Sequence, residues 1–335
     1  MSKKKINHFI FILGLSLGIC LSIIYFSQST TSIMPRMIPD QLSVRSTPRA
    51  AVVKNTINNI VAETINHDIV AKFKGPTVQP IVGTNEALKL EKEVRVLCWI
   101  MTSPKTLNWK CDAVKKTWGK RCNKVLYFSS KTDDNFPAIG LNVSEGREHL
   151  TEKTMMAFTY IYRNHFNDAD WFMKADDDTY VIVENLRYFL STKNSSLPVY
   201  YGHWFKPYIK QGYYSGGAGY VLSKEALRRF GKFSNKSCVK EGKFEDLDFG
   251  KCMEALRVKT GSSHDDLGRS RFHYSKPGDM LHRIFPSWYL EYDKYGGKKN
   301  TMSDYPVSFH YMTPKAMFTM EYYVYHLKPY GIPSK

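Results

Sequence analysis

The stretch ADWFMKADDDTYVIVENL, residues 169–186, sets an apolar run against three consecutive acids and then a helical pattern. Residues 170–174 read as a short buried strand and residues 181–190 as a helix. Asp176, Asp177 and Asp178 then fall at the C-terminal end of a strand, where ligands bind in open α/β sheets. Three carboxylates on one turn repel one another unless a cation or solvent intervenes. Two aspartates one residue apart can reach a single hard divalent ion and leave positions for phosphate oxygens. An acidic triplet in isolation is more often a solvated turn. Its place after a strand is what makes it a candidate site.

The surrounding sequence supplies that α/β setting. Upstream, residues 94–102 (VRVLCWIMT) and 124–130 (KVLYFSS) read as strands, with a helix through 113–118 stopped at Gly119. Residues 148–165 carry Leu150, Phe158, Ile161 and Tyr162 on one helical face. Downstream, the pattern loosens into a strand at 199–204, a glycine-rich turn and a helix near 224–230. Strands alternating with helices indicate one α/β domain built on a parallel sheet, here placed at 93–335. Residues 27–92 sustain no strong period and read as a flexible stem.

Residues 9–26 (FIFILGLSLGICLSIIYF) hold no charge and follow Lys3, Lys4 and Lys5. This run is long for the apolar part of a cleaved signal peptide and ends in bulky residues, so it reads as an uncleaved anchor. The lysines keep residues 1–8 in the cytosol and put the rest in the lumen, a single-pass type II arrangement.

The formal net charge of +17 raises a nucleic-acid reading. The basic residues are spread along the chain, and no zinc-knuckle, RNA-recognition or helix-turn-helix signature accompanies them. No CxxC pair or Cys/His zinc spacing occurs either. Beyond Cys20, five cysteines remain: Cys98, Cys111, Cys122, Cys238 and Cys252. Cys238 with Cys252 and Cys98 with Cys122 are plausible bridges, although spacing does not fix connectivity. Cys111 is the thiol left over, either free or joining two chains in a homodimer. Asn142, Asn194 and Asn235 begin N-x-[ST] acceptors, consistent with a lumenal glycoprotein.

The runs ADWFMKADDDTYVIVENLRYFL, FKPYIKQGYYSGGAGYVLSKEAL, FEDLDFGKC, VSFHY and EYYVYHLKPYG resemble the core 1 β1,3-galactosyltransferase family, over nearly everything from residue 94 to 331. More distantly, they resemble Fringe and other β1,3-glycosyltransferases. The resemblance implies a GT-A fold with a mixed, mostly parallel sheet and a Golgi membrane location. It also implies manganese-dependent, inverting transfer of galactose from UDP-galactose to O3 of GalNAc on Ser or Thr of a glycoprotein.

Position by position, Asp176 and Asp178 match the family's metal-binding pair and His310 its third ligand. A lone histidine is more often structural, but an imidazole with two carboxylates suits Mn2+ better than calcium. Met101, Glu145, Gly146, Arg147, Lys153 and Asp176 match the donor side, where the Arg147 and Lys153 charges can neutralise phosphate. Core packing is the plainer role for Met101, and a solvated loop for Glu145. In FEDLDFGKC, Glu245-Asp246 matches an acidic pair, with Asp246 as the base that takes the acceptor proton. A helix N-terminal acid pair is the plainer reading of both. Gly216 and Gly217 let backbone approach the donor sugar, although a tight turn explains two glycines equally well; Gly217 also falls on the acceptor side with Trp288, which stacks on the acceptor GalNAc or merely packs.

The chain departs from the family pattern in three places. A Cys-Cys pair expected before VSFHY is replaced around residues 298–302, Pro286 stands where an aromatic is expected, and Cys111 is an added cysteine. A same-fold transferase with another donor or acceptor, and a non-catalytic lumenal chaperone, are the competing readings. The second has no reason to keep the triplet, Asp246 and His310 together.

Overall fold

The computed structural model describes residues 85–240, 242–293 and 301–331. The spans read from sequence as cytosolic tail, membrane anchor and most of the stem (residues 1–84) lie outside the described residues. Among the described residues, no helix is long and apolar enough to cross a membrane.

The first half of the sheet comes from α1 (Asn85–Glu93), β1 (Val96–Met101), α2 (Asp112–Lys116), β2 (Lys124–Ser129), β3 (Ala138–Gly140), α3 (Leu150–His165), β4 (Trp171–Asp176), β5 (Tyr180–Val181) and α4 (Val183–Ser191). The second half adds β6 (Val199–Gly202), β7 (Trp204–Phe205), β8 (Tyr213–Tyr214), β9 (Tyr220–Ser223), α5 (Lys224–Ser237), α6 (Glu245–Ala255) and β10 (Lys259–Thr260). Then come β11 (Phe272–His273), α7 (Pro277–His282), α8 (Ser287–Tyr292), β12 (Ser308–Phe309) and α9 (Pro314–Tyr325).

Seven strands form the main sheet in the order β10-β6-β9-β4-β1-β2-β3. The sheet is mixed and mostly parallel: β9 alone runs antiparallel to its neighbours, β4 and β6. Every residue of β1 is buried, because both faces of the sheet are covered. Val96, Cys98 and Ile100 face one core with Trp171, Met173 and Val221, while Leu97, Trp99 and Met101 face the other with Phe158, Phe172 and Phe249. The strand period of two thus sorts one apolar run into two cores. The helix α3 lays Phe158 and Ile161 onto the second core, as its periodicity predicts.

Several boundaries differ from the sequence reading. The helix α1 forms inside the span read as stem and packs against α4. Its sequence NEALKLEKE is almost wholly polar, and Leu90 alone lies against the core, so periodicity gave no signal. The helix at 113–118 is instead a π-turn (Leu107–Cys111) running into α2, followed by a 3-10 turn (Trp118–Arg121) that passes through Gly119. That glycine serves packing: a Cβ there would meet Val114 O at 2.9 Å. The strand read at 199–204 breaks at His203, whose Nδ1 faces Phe272 O at 2.8 Å.

The acidic triplet is also placed differently. Asp176 ends β4, and the short strand β5 separates the acids from α4. A small sheet, β11-β12-β5, pairs Phe309 with Tyr180 and Ser308 with Val181 in antiparallel register. That register carries residue 310 to the acids.

Both plausible disulfides form, Cys98–Cys122 and Cys238–Cys252. Cys111 is free and fully buried, so its thiol does not reach a second chain. Burial also pushes that thiol up to about 12, which leaves it protonated.

Candidate active site

One oxygen or nitrogen from each of Asp176, Asp178 and His310 lies within 4.8 Å of the others. Asp176 is brought by the end of β4 and Asp178 by the turn after it. His310 follows β12, which also sets Met312 N against Asp178 O at 2.8 Å. His310 Nε2 lies 3.2 Å from Asp178 Oδ1. Burial opposes ionisation of Asp178, yet His310 and Lys110 together hold its carboxyl well below the usual carboxylate range. Two carboxylates and an imidazole fit a first-row divalent ion.

Gly217 lies flat against the imidazole. A Cβ at this position would come within 2.0 Å of His310 Cε1, so a side chain here and the observed ring position exclude each other. Thr179 Oγ1 fixes the same segment by donating to Gly217 O at 2.7 Å. The sequence puts Gly217 on the acceptor side; in the structure it makes room for His310, a member of the candidate metal group.

Asp177 turns away from this group. Thr102 Oγ1 donates to it at 2.9 Å, and Lys110 Nζ reaches both Asp177 and Asp178 at 3.1 Å. Burial raises the Asp177 carboxyl above its ordinary value despite that cation. The three acids therefore have two jobs: Asp176 and Asp178 face His310, while Asp177 ties the turn to β1 and the π-turn.

Of the residues expected on the donor side, Met101 is 7% exposed and belongs to the core beneath, in register with Asp176. Lys153 Nζ is committed to Glu145 at 2.7 Å and Thr102 O at 3.3 Å, with its side chain 2% exposed. Glu145 is drawn below its usual range: burial raises it, but Lys153 and Ser130 outweigh that. Gly146 adopts φ 144°, a conformation that favours glycine, and leads into the 3-10 turn Arg147–His149. Arg147 is exposed and acts electrostatically on Tyr311, the neighbour of His310. It is the more available of the two donor-side cations.

Asp246 and Glu245 open α6. Burial, reinforced by Glu245, pushes the Asp246 carboxyl up to about 6, against backbone N–H groups of Leu247 and Gly216 and the charge of Lys174. Glu245 Oε1 accepts from Thr154 Oγ1 and from Tyr220 OH, each at 2.8 Å. The helix-terminal reading of the pair holds for position; Glu245 is buried and taken up by Thr154 and Tyr220, whereas Asp246 is only half-buried, with Leu247 N donating to its Oδ1 at 2.8 Å. Trp288, on α8, is partly buried and packs edge-on to Tyr274 and Tyr292. Tyr213, Trp288 and Tyr292 share one apolar cluster with Leu247, the neighbour of Asp246, which places this aromatic group on the Asp246 side of the site.

The sequence reading missed two cations, Lys110 and Lys174. Lys174 carried a signal: it is a charged residue inside an otherwise apolar strand, and such a residue requires buried counter-charges.

Residues 93–313 match the family described as Fringe-like. The chain belongs to the Fringe-like family. This Fringe-like chain is 47% identical over 250 residues to a glycoprotein-N-acetylgalactosamine 3-beta-galactosyltransferase 1 from Xenopus laevis, covering 72% of the chain and 69% of that relative. It is also 28% identical over 222 residues to a beta-1,3-glucosyltransferase from Mus musculus, covering 65% of the chain and 41% of the relative. Among solved structures, a galactosyltransferase in complex with donor and acceptor sugar analogs aligns with a TM-score of 0.39 at 10% identity. That alignment covers 70% of this chain and 98% of the other.

Proposed function

We propose that this chain is an inverting β1,3-galactosyltransferase with a GT-A fold, moving galactose from UDP-galactose to O3 of GalNAc on Ser or Thr of a glycoprotein. The single observation that carries the reading is the 47% identity to a relative named for that transfer, over 69% of its length. The geometry of Asp176, Asp178, His310 and Asp246 supports it.

Asp176, Asp178 and His310 would hold Mn2+, which when bound supplies a Lewis acid for the departing diphosphate. Arg147 and Lys153, with Met101, Glu145 and Gly146, form the donor side. Asp246, ionised above about pH 6, accepts the proton of the acceptor hydroxyl as that oxygen bonds to the anomeric carbon. Trp288 offers an apolar face for the acceptor GalNAc. Residues 9–26 would anchor the chain in the Golgi membrane, single-pass type II, behind the stem, with the transferase domain lumenal. A homodimer is compatible with this reading, without a bridge through Cys111.

The relatives named for glucosyl transfer make another donor the second reading. The test is transfer of labelled sugar to a GalNAc-Ser peptide, with UDP-galactose, UDP-glucose and UDP-GlcNAc compared, followed by linkage analysis. Transfer of galactose in β1,3 linkage, lost with chelator, is expected. Preference for another donor would overturn the galactose reading. A chain that neither transfers nor hydrolyses any of the three belongs to the chaperone reading.

A further inference from the structure

Lys174 lies on the central strand β4 and is 1% exposed. Its Nζ donates to Asp176 Oδ1 at 2.6 Å and to Gly216 O at 3.0 Å, and stands 3.8 Å from Glu245 Oε2. Two carboxylates, Asp176 and Glu245, and one peptide carbonyl thus surround this buried ammonium. A buried cation among carboxylates is a poor way to add stability, since a well-packed apolar side chain commonly does as well. What it does supply is geometry.

That geometry joins the two ends of the site. Gly216 accepts from Lys174 through its carbonyl, and its Cα lies against Asp246, whose Cβ a side chain at 216 would meet at 3.6 Å. A Cβ at residue 216 would sit 2.4 Å from Glu245 Oε2 and 3.4 Å from Lys174 Nζ, so glycine is what lets this peptide enter. Glu245 is held on its far side by Thr154 and Tyr220. One ammonium thus connects Asp176, of the candidate metal group, to the peptide that borders Asp246 and to Glu245, the neighbour of Asp246 in the chain.

We propose that Lys174 is a positioning residue that sets Asp246 relative to the metal-binding carboxylates, acting through the Gly216 peptide and Glu245. The proposal rests on the galactosyl-transfer reading. In that reaction the O3–C1 bond forms while the C1–O bond to UDP breaks. UDP leaves with the bonding electrons, and the O3 proton passes to Asp246. Transfer needs both ends aligned. Hydrolysis of the donor by water depends on the donor end and is far less demanding of Asp246.

The deciding experiment compares Lys174→Met with the wild type as full chains. Transfer to a GalNAc-Ser peptide, hydrolysis of UDP-galactose without acceptor, and direct Mn2+ titration without nucleotide are measured together. The expected result is a transfer-to-hydrolysis ratio about tenfold lower or worse, in line with the loss of a well-placed base. Mn2+ binding should be no weaker than wild type, because the change removes a cation beside Asp176. A proportional loss of both reactions, an unchanged ratio, or lost Mn2+ binding in a folded variant overturns the proposal. If Lys174→Met does not fold, Gly216→Ala decides, since it displaces the same peptide while keeping the lysine. The same fall in ratio with Mn2+ binding intact supports the proposal, and an unchanged ratio overturns it. The galactosyl-transfer reading fails separately, through a wild type that transfers to no GalNAc acceptor.

Discussion

Gly217 and His310 lie 93 positions apart in the chain, yet a Cβ on the glycine would fall 2.0 Å from the imidazole Cε1. The backbone at 217 therefore sets where His310, the third member of the candidate metal group, can be. Gly217→Ala should push the ring away from Asp178 and raise the Mn2+ dissociation constant by about tenfold or more, as loss of a ligand's supporting contacts does. Mn2+ titration with a thermal melt as control checks this. An unchanged affinity would mean that His310 is not a ligand. Asp178→Ala should remove Mn2+ binding and metal-dependent activity altogether.

Asp246 yields a pH dependence. Its carboxyl is pushed up to about 6 by burial and by Glu245. Only the ionised form accepts a proton, so transfer should rise as pH passes upward through about 6 and fade below it. Glu245→Gln removes the neighbouring charge that helps raise this group, so the acid limb should move to lower pH. Asp246→Asn should cost roughly 10²–10⁴-fold in transfer. Its UDP affinity should stay near wild type, and lost UDP binding would count against a role as base.

The helix α9 is fastened across the domain by one acid. Glu321 takes Arg121 Nη1 and Nη2 at 2.9 and 2.7 Å and Tyr180 OH at 3.2 Å, with Lys120 at 2.9 Å. The Arg121 and Glu321 side chains are 13% and 10% exposed. Glu321→Ala leaves a largely buried guanidinium with only Glu184 at 3.5 Å and Thr117 O at 3.1 Å, and should cost about 3 kcal/mol, the low end for breaking a buried pair. Denaturant unfolding gives the value, and a cost below about 1 kcal/mol, typical of an exposed pair, would contradict the burial.

The Cys238–Cys252 bridge ties the end of α5 to α6 across a separation of 14 residues. Cys238→Ser keeps Cys252 in the core and should cost about 3 kcal/mol, the loop-closure value for a ring of this size. The unfolding midpoint of oxidised wild type against the variant measures it. The same loss should follow reduction of the wild type, to the extent that Cys98–Cys122 stays closed.

Sequence by itself determined the α/β alternation, the strand that becomes β1, and the acids at 176–178 and 245–246. These are local patterns, since strand and helix periods and runs of like charge are written in neighbouring residues. It also supplied both cysteine pairs as plausible partners. Tertiary structure alone decided the rest. The small sheet β11-β12-β5 brings His310 to Asp178, and no local period announces a pairing between residues so far apart. Asp177 leaves the metal group because Lys110 and Thr102 claim it. Lys174 and Gly216 gain their roles only where β4, the glycine turn and α6 converge, because the partners of a buried charge come from wherever the chain happens to pack.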